Sequence, residues 1–189
     1  LEEAMKYLQS AGERIHAIKV DVTDRPGMEQ AALETVKVFG KLHVLVNNAG
    51  VVQHLPLSST TYDDWDFQMG ANLNGVFNGV HAFLPKIQAH SEGGQIIATS
   101  SILGLFTGPR SAVYSASKYA VVGMMESLRA ELADTNIGVS VFCPGLVSSN
   151  IQDSRRNRPR ELAETGSKPN PQVEAKEREL RHDPERAMD

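Results

Sequence analysis

The sequence predicts an α/β fold in which helices cover both faces of a doubly wound parallel sheet. Three observations lead there. Short, unbroken apolar runs alternate with segments of helical period between Ile15 and Cys143, the pattern of buried parallel strands joined by crossover helices. Each run ends in a polar or glycine-bearing cluster: Asp21-Val22, Asn47-Asn48-Ala49-Gly50, Ser100-Ser101 and Pro144-Gly145. Open sheets of this kind bind ligands beyond the carboxyl ends of their strands, so the clusters mark one edge. Tyr114 and Lys118 lie near the start of the helix that follows the third run. Four residues apart, they share a helix face close to that same edge.

Taken in order, Leu1 to Gln9 reads as the end of a helix, with Ala4, Met5 and Leu8 at helical spacing and Gly12 as a cap. Ile15 to Val20 reads as a strand. The next helix runs from Pro26 to Phe39, with proline in the first turn, where a missing N–H costs little, and Gly40 at its end. Leu42 to Val46 is the second strand. Tyr62 to Met69 is a short helix carrying the single Trp65, and a long helix follows from Asn72 to Gln88 with Val76, Phe77, Val80, Leu84 and Ile87 as its apolar stripe. Gln95 to Thr99 is a strand, Ala112 to Asp134 a helix, and Val139 to Cys143 the last strand.

Composition bounds the function. The 189 residues suffice for one domain with a sizeable core, and 41% hydrophobic with 22% charged residues reads as globular. A net charge of −4 gives no electrostatic reason to expect nucleic acid or a membrane as partner. No apolar run is long enough to span a bilayer. The single cysteine, Cys143, reads as a small buried hydrophobe and suits a reducing compartment, so a cytoplasmic location is expected. The six histidines show no H-x-x-x-H spacing, and no metal site is expected.

Composition shifts after Asn150. Residues 151–189 hold 18 Asp, Glu, Lys and Arg of 39, nine of each sign. That divides the chain into a core of 1–150 and a charged segment, mobile or a lid, over 151–189. Arg155, Arg156, Arg158 and Arg160 are interleaved with acids and read as a solvated charge run.

The Tyr114–Lys118 pair carries the chemistry. A nearby cation favours the phenolate and lowers a phenol pKa that is otherwise about 10. Such a Tyr can exchange a proton near neutral pH, as interconversion of a carbonyl and an alcohol requires. Alone, the pair is ordinary helix surface; Ser101 alone would help a turn, and Asn72 alone would cap a helix. Their weight comes from their common position at the strand-end edge.

Together these segments resemble the short-chain dehydrogenase/reductase family. Asn47-Asn48-Ala49-Gly50 matches its NNAG signature, Asn72-Leu73-Asn74-Gly75 its N-x-x-G segment, and Tyr114-Ser115-Ala116-Ser117-Lys118 its Y-x-x-x-K. Ser101 precedes Tyr114 by the family's interval, Pro144-Gly145 opens its P-G-x-x-x-T stretch, and Asp21-Val22 resembles its Asp-Val pair. The resemblance implies a Rossmann-like fold and hydride transfer between NAD or NADP and a carbonyl or alcohol. Tyr114 would be the general acid or base, with Lys118 lowering its pKa and bonding the nicotinamide ribose. Ser101 would hold the substrate oxygen, and Asn72 a water linking Lys118 to solvent. Asp21 and Val22 would border the adenine, Asn47, Ala49 and Gly50 the adenosine side, and Pro144, Gly145, Val147 and Ser149 the nicotinamide. Ser149 stands where the family commonly has Thr. Asn48 would tie strands together.

The chain departs from the family pattern at both ends. It opens in mid-helix composition, without Met, and lacks the glycine-rich turn that receives a pyrophosphate, the first two strands and the last strand. The expectation is an excerpt of a longer protein that folds weakly and shows no dehydrogenase activity by itself. The alternative to an active enzyme is a catalytically silent fragment that at most pairs with another subunit. The helices at 72–88 and 112–134 correspond to those that build the family's dimers and tetramers, so a homodimer or homotetramer is expected for the complete protein. Leu103, Leu105 and Phe106 after Ser101 hint at a small-molecule alcohol or ketone with an apolar body.

Overall fold

The computed structural model describes residues 2–163. β1 (Val44–Asn47), β2 (Gly94–Thr99) and β3 (Ile137–Phe142) form a parallel sheet in that order. The register pairs Leu45 with Ile96 and Ile96 with Val139, so side-chain alternation puts Leu45, Ile96, Ala98, Val139 and Val141 on one face. Against that face pack α4 (Gly75–Gln88) and α5 (Ala112–Glu131), closing a core of Val76, Ile87, Val121, Met125 and Leu128 with the strand residues. Each such side chain contributes on the order of 1.5–3 kcal/mol by leaving water. A second, smaller cluster of Met28, Ala32 and Ala82 joins α2 (Arg25–Phe39) to α4. Asp24 caps α2 by accepting from the Gly27 N–H, and Gly40 ends it at φ +80°, a conformation that favours glycine.

Two expectations are corrected. Ile15 to Val20 is not a strand: it follows the short α1 (Glu2–Leu8) and a 3₁₀ turn, and leads into α2 without joining a ladder. Among the described residues no strand lies beside it, and an extended segment without a partner has no ladder hydrogen bonds to hold it. The sheet is also not covered on both faces by the described residues. Val44, Val46 and Phe142, on the face away from α4 and α5, are each more than half exposed.

Helix α3 (Tyr62–Met69) starts at a capping box, in which Thr61 accepts from the Asp64 N–H while the Asp64 carboxylate accepts from the Thr61 N–H. The long helix expected from Asn72 is not separate from it. One helical run extends from Tyr62 to Gln88, interrupted by a π turn at Gly70–Asn74. Such wide turns occur often at functional sites, and this one carries Asn72 with no exposed surface.

The charged segment is also unlike its expectation in its described part. The 3₁₀ turns of Asn150–Asn157 and α6 (Arg160–Ala163) lie against α3 and the loop after β1. Ser154 is buried and its Oγ accepts from the Val52 N–H at 3.0 Å. Arg158 is not a solvated charge. Its Nη1 donates to Asp64 Oδ1 at 2.6 Å with both side chains at most 5% exposed, and its guanidinium lies 5.4 Å from the centre of the Phe67 ring. The arginine run gave no sign of this because the partner, 94 positions earlier, is brought over by tertiary folding. Residues 164–189 of the expected lid lie outside the described residues.

Removing one partner of a buried pair strands the other charge. Arg158→Met is therefore expected to destabilise the chain by about 3–5 kcal/mol, measured by urea denaturation. A change below about 1 kcal/mol, the size typical of surface pairs, would show that this strap of residues 150–163 is not anchored this way.

Candidate active site

β2 delivers Ser100 and Ser101 at its carboxyl end, and the two hydroxyls have different partners. Ser100 Oγ donates to the main-chain carbonyl of Lys118 at 2.9 Å, fixing α5 against the strand end. Ser101 Oγ accepts from the Leu103 N–H at 3.1 Å and hydrogen-bonds Tyr114. Close packing requires Gly104 here, since a Cβ would come within 2.9 Å of the Lys118 carbonyl oxygen. α5 then presents Tyr114 and Lys118 one turn apart, both buried, with Lys118 Nζ 5.7 Å from the centre of the Tyr114 ring. Lys118 Nζ donates to the Thr99 carbonyl at 2.8 Å.

The electrostatics correct one expectation. Burial pushes the Tyr114 phenol above its ordinary pKa, opposed by the Ser101 hydrogen bond; the cation does not bring it down. Burial also lowers Lys118 to about 8, partly offset by the nearby Cys143 thiol. In a site this dry, desolvation outweighs the attraction that a surface pair would show.

Asn72 joins three elements. Its Oδ1 accepts from the Val51 N–H at 2.8 Å, and its Nδ2 donates to the Val51 carbonyl at 2.9 Å and to Ser117 Oγ at 3.1 Å. Ser117 Oγ donates in turn to the Tyr114 carbonyl at 2.7 Å. Gly50 completes the arrangement: a Cβ there would lie 3.3 Å from Asn72 Oδ1 and 3.5 Å from Lys118 Nζ. Asn72, Gly50 and Lys118 thus meet in one place, as do Ser101 and Tyr114.

The remaining strand-end residues are placed as follows. The Asn47 carboxamide lies against α4, where a Cβ on Gly79 would overlap it. Asn48 Oδ1 accepts from Thr99 Oγ1 at 2.9 Å, joining the ends of β1 and β2, while Ala49 is exposed beside it. Asp21 Oδ1 accepts from the Thr23 N–H and hydroxyl, both at 2.9 Å, and the helix cap falls to Asp24 instead. Val22 lies on the start of α4, its carbonyl accepting from Asn78 Nδ2 at 2.9 Å, with room only because Gly75 has no Cβ. The Pro144 carbonyl accepts from the Ile102 N–H at 2.9 Å, drawing the loops after β2 and β3 together. Gly145, Val147 and Ser149 are exposed on that last loop, and Ser149 Oγ caps the following turn by accepting from the Ile151 N–H.

Sequence reasoning missed Ser100 and Ser117. Both are small hydroxyl residues whose importance lies in which carbonyl they reach, and their spacing carries no distinguishing signal. Leu105 and Phe106, read as a hint of an apolar substrate body, are more than half exposed and so are not core.

The family model described as short chain dehydrogenase matches residues 1–160. Among curated relatives, the chain is 39% identical over 167 residues to the C alpha-dehydrogenase of a Sphingobium strain, covering 88% of this chain and 55% of that protein. Among solved structures, a short chain dehydrogenase/reductase from Burkholderia phymatum in complex with NAD superposes with a TM-score of 0.88 at 33% identity, covering 96% of this chain and 65% of that one. ElxO with NADP bound superposes with a TM-score of 0.74 at 31% identity, covering 82% and 63%. The chain belongs to the short-chain dehydrogenase family. It spans about half to two thirds of the length of these relatives. No helix among the described residues is long and apolar enough to cross a membrane.

Lys118 makes stability depend on pH. Its folded pKa of about 8 lies below the unfolded value of 10.5, so between these values the unfolded chain binds more protons and stability rises with pH. Above pH 10 the raised Tyr114 acts oppositely, since the folded state then holds the extra proton. The rise is therefore confined to pH 8–10. Lys118→Met is expected to abolish the rise and to stabilise the chain at pH 7 by up to about 3 kcal/mol. Denaturation midpoints of both forms across pH 7–10 test this; a parallel rise in the variant would exclude Lys118 as its source.

Proposed function

We propose that this chain carries the proton-transfer half of an NAD- or NADP-dependent dehydrogenase/reductase acting on a carbonyl or alcohol. The observation that supports it most is the burial of Ser101, Tyr114 and Lys118 together on a strand-end edge, with Lys118 Nζ 5.7 Å from the centre of the Tyr114 ring. When bound, the nicotinamide supplies or accepts the hydride. Tyr114 Oη gives a proton to the substrate oxygen during reduction, or takes it during oxidation. Its raised pKa keeps it protonated in the resting site, which suits the donor role. Ser101 Oγ orients the same oxygen and stabilises charge developing on it.

Lys118 uses one of its three N–H donors on Thr99, and the others serve the ribose. Both Asn72 Nδ2 hydrogens are occupied, so a water between Asn72 and Lys118 would rest on Oδ1 or the main chain. Asn72 is then chiefly a positioning residue. The donor set suits the cofactor where it is present: Gly50 leaves open the space between Asn72 and Lys118 that a Cβ would fill. Asp21, Val22, Asn47 and Ala49 would hold the adenosine side, and Pro144, Gly145, Val147 and Ser149 the nicotinamide side.

The exposed Leu105 and Phe106 beside Ser101 favour a substrate with an apolar body. Phe77 on α4 and Tyr119 on α5, each about half exposed, favour these helices as the surface of a homodimer or homotetramer. Sedimentation showing a monomer at all concentrations would refute that assembly.

The catalytic assignment is tested in the full-length protein by turnover of ketone and alcohol panels with each cofactor. Tyr114→Phe is expected to reduce turnover by about 10²–10⁴ while leaving the fold intact; retained turnover refutes it. A second reading, a silent interaction subunit, is favoured by the uncovered face of Val44, Val46 and Phe142. A folded full-length protein with no turnover on either cofactor would select that reading.

A further inference from the structure

The opposite edge of the sheet, at the amino ends of the strands, holds a group of side chains with no part in the proton-transfer site. His43 immediately precedes β1, and His90 and Glu92 lie in the connection from α4 to β2. One ligand atom of each lies within 4.8 Å of the others. His43 Nε2 and Glu92 Oε2 are 2.9 Å apart, and the two imidazole rings are 4.4 Å apart between centres.

His90 is already oriented as a ligand would be. Its Nε2 is 2.7 Å from the Leu42 carbonyl, an oxygen that can only accept, so the proton is on Nε2 and the lone pair on Nδ1. A backbone carbonyl holding the far N–H is the usual support behind a metal-bound imidazole, fixing tautomer and ring direction. The main-chain N–H of Glu92 meets Nδ1 at a long 3.2 Å, a contact that a small ring movement releases.

We propose that His43, His90 and Glu92 form a surface site for a borderline divalent cation of the Zn²⁺ class. Two imidazole nitrogens and a carboxylate are a zinc donor set, with a fourth position left to water. Tetrahedral bonds of about 2.0–2.1 Å put ligand atoms roughly 3.4 Å apart, so the three groups close by up to about 1.4 Å on binding. His43 and Glu92 are exposed and free to make that movement. The ion would clamp the entry to β1 against the entry to β2. The bland alternative is a charged surface knot in which Glu92 only serves the Lys41 ammonium, with which it forms an ion pair. The two make opposite predictions for Lys41, which competes with a metal but completes a knot. The expectation of no metal site came from local spacing, which does not see ligands 49 positions apart.

The test is isothermal titration of the chelator-treated, untagged chain with zinc chloride. One equivalent is expected to bind and to raise the thermal midpoint. His43→Ala, an exposed change that leaves the His90–Leu42 bond in place, should weaken binding by at least about tenfold, and Lys41→Met should tighten it. Equal affinity in wild type and His43→Ala would place the ion elsewhere and overturn the proposal. So would a failure to bind, or weaker binding by Lys41→Met.

Discussion

The carboxamide of Asn72 is the joint on which the candidate site depends. It reads both the N–H and the carbonyl of Val51 and reaches Ser117, whose hydroxyl holds the Tyr114 carbonyl. The loop after β1, the π turn and α5 are thereby held in one relation. No shorter side chain spans these partners, and a regular α-helical turn would rotate Asn72 relative to the segment before it. Buried amide networks of this kind specify geometry because each unsatisfied member would cost about 1–3 kcal/mol.

Around that joint the fold accepts unfavourable electrostatics. Lys118 is nearly inaccessible, its ammonium donates to the neutral Thr99 carbonyl, and its pKa falls to about 8. Tyr114 moves the other way. Both shifts have the same cause, since burial disfavours the charged form of either group. Stability is thus surrendered at the candidate site, as is common at functional sites.

The rest of the chain is held by pieces of different strength. The face of the sheet toward α4 and α5 is a continuous core, whereas the opposite face leaves Val44, Val46 and Phe142 exposed. Ser154 and Arg158 fasten the strap to the loop after β1 and to α3. That strap crosses beside the same Val51–Gln53 segment that Asn72 holds, as Arg158 Nη1 also reaches Gln53 Oε1 at 3.4 Å. The site loop is therefore fixed from both sides.

The alternation of apolar runs and helices, the strand-end clusters and the four-residue spacing of Tyr114 and Lys118 were legible because each depends on local period. Three of the four expected strands and the helices between them follow from that local information. The sign of the Tyr114 shift did not, because spacing reports the cation and not the dryness around it. Ile15 to Val20 has strand composition, but a strand exists only with a neighbour to share its hydrogen bonds, and the described fold supplies none. Arg158 reads as one charge among many until Asp64 is brought beside it from 94 positions away. What the sequence determined by itself was the set of chemical groups and the faces they occupy. Only the tertiary structure decided which of them lose water and which partner each then requires, since burial and pairing are properties of segments brought together by folding.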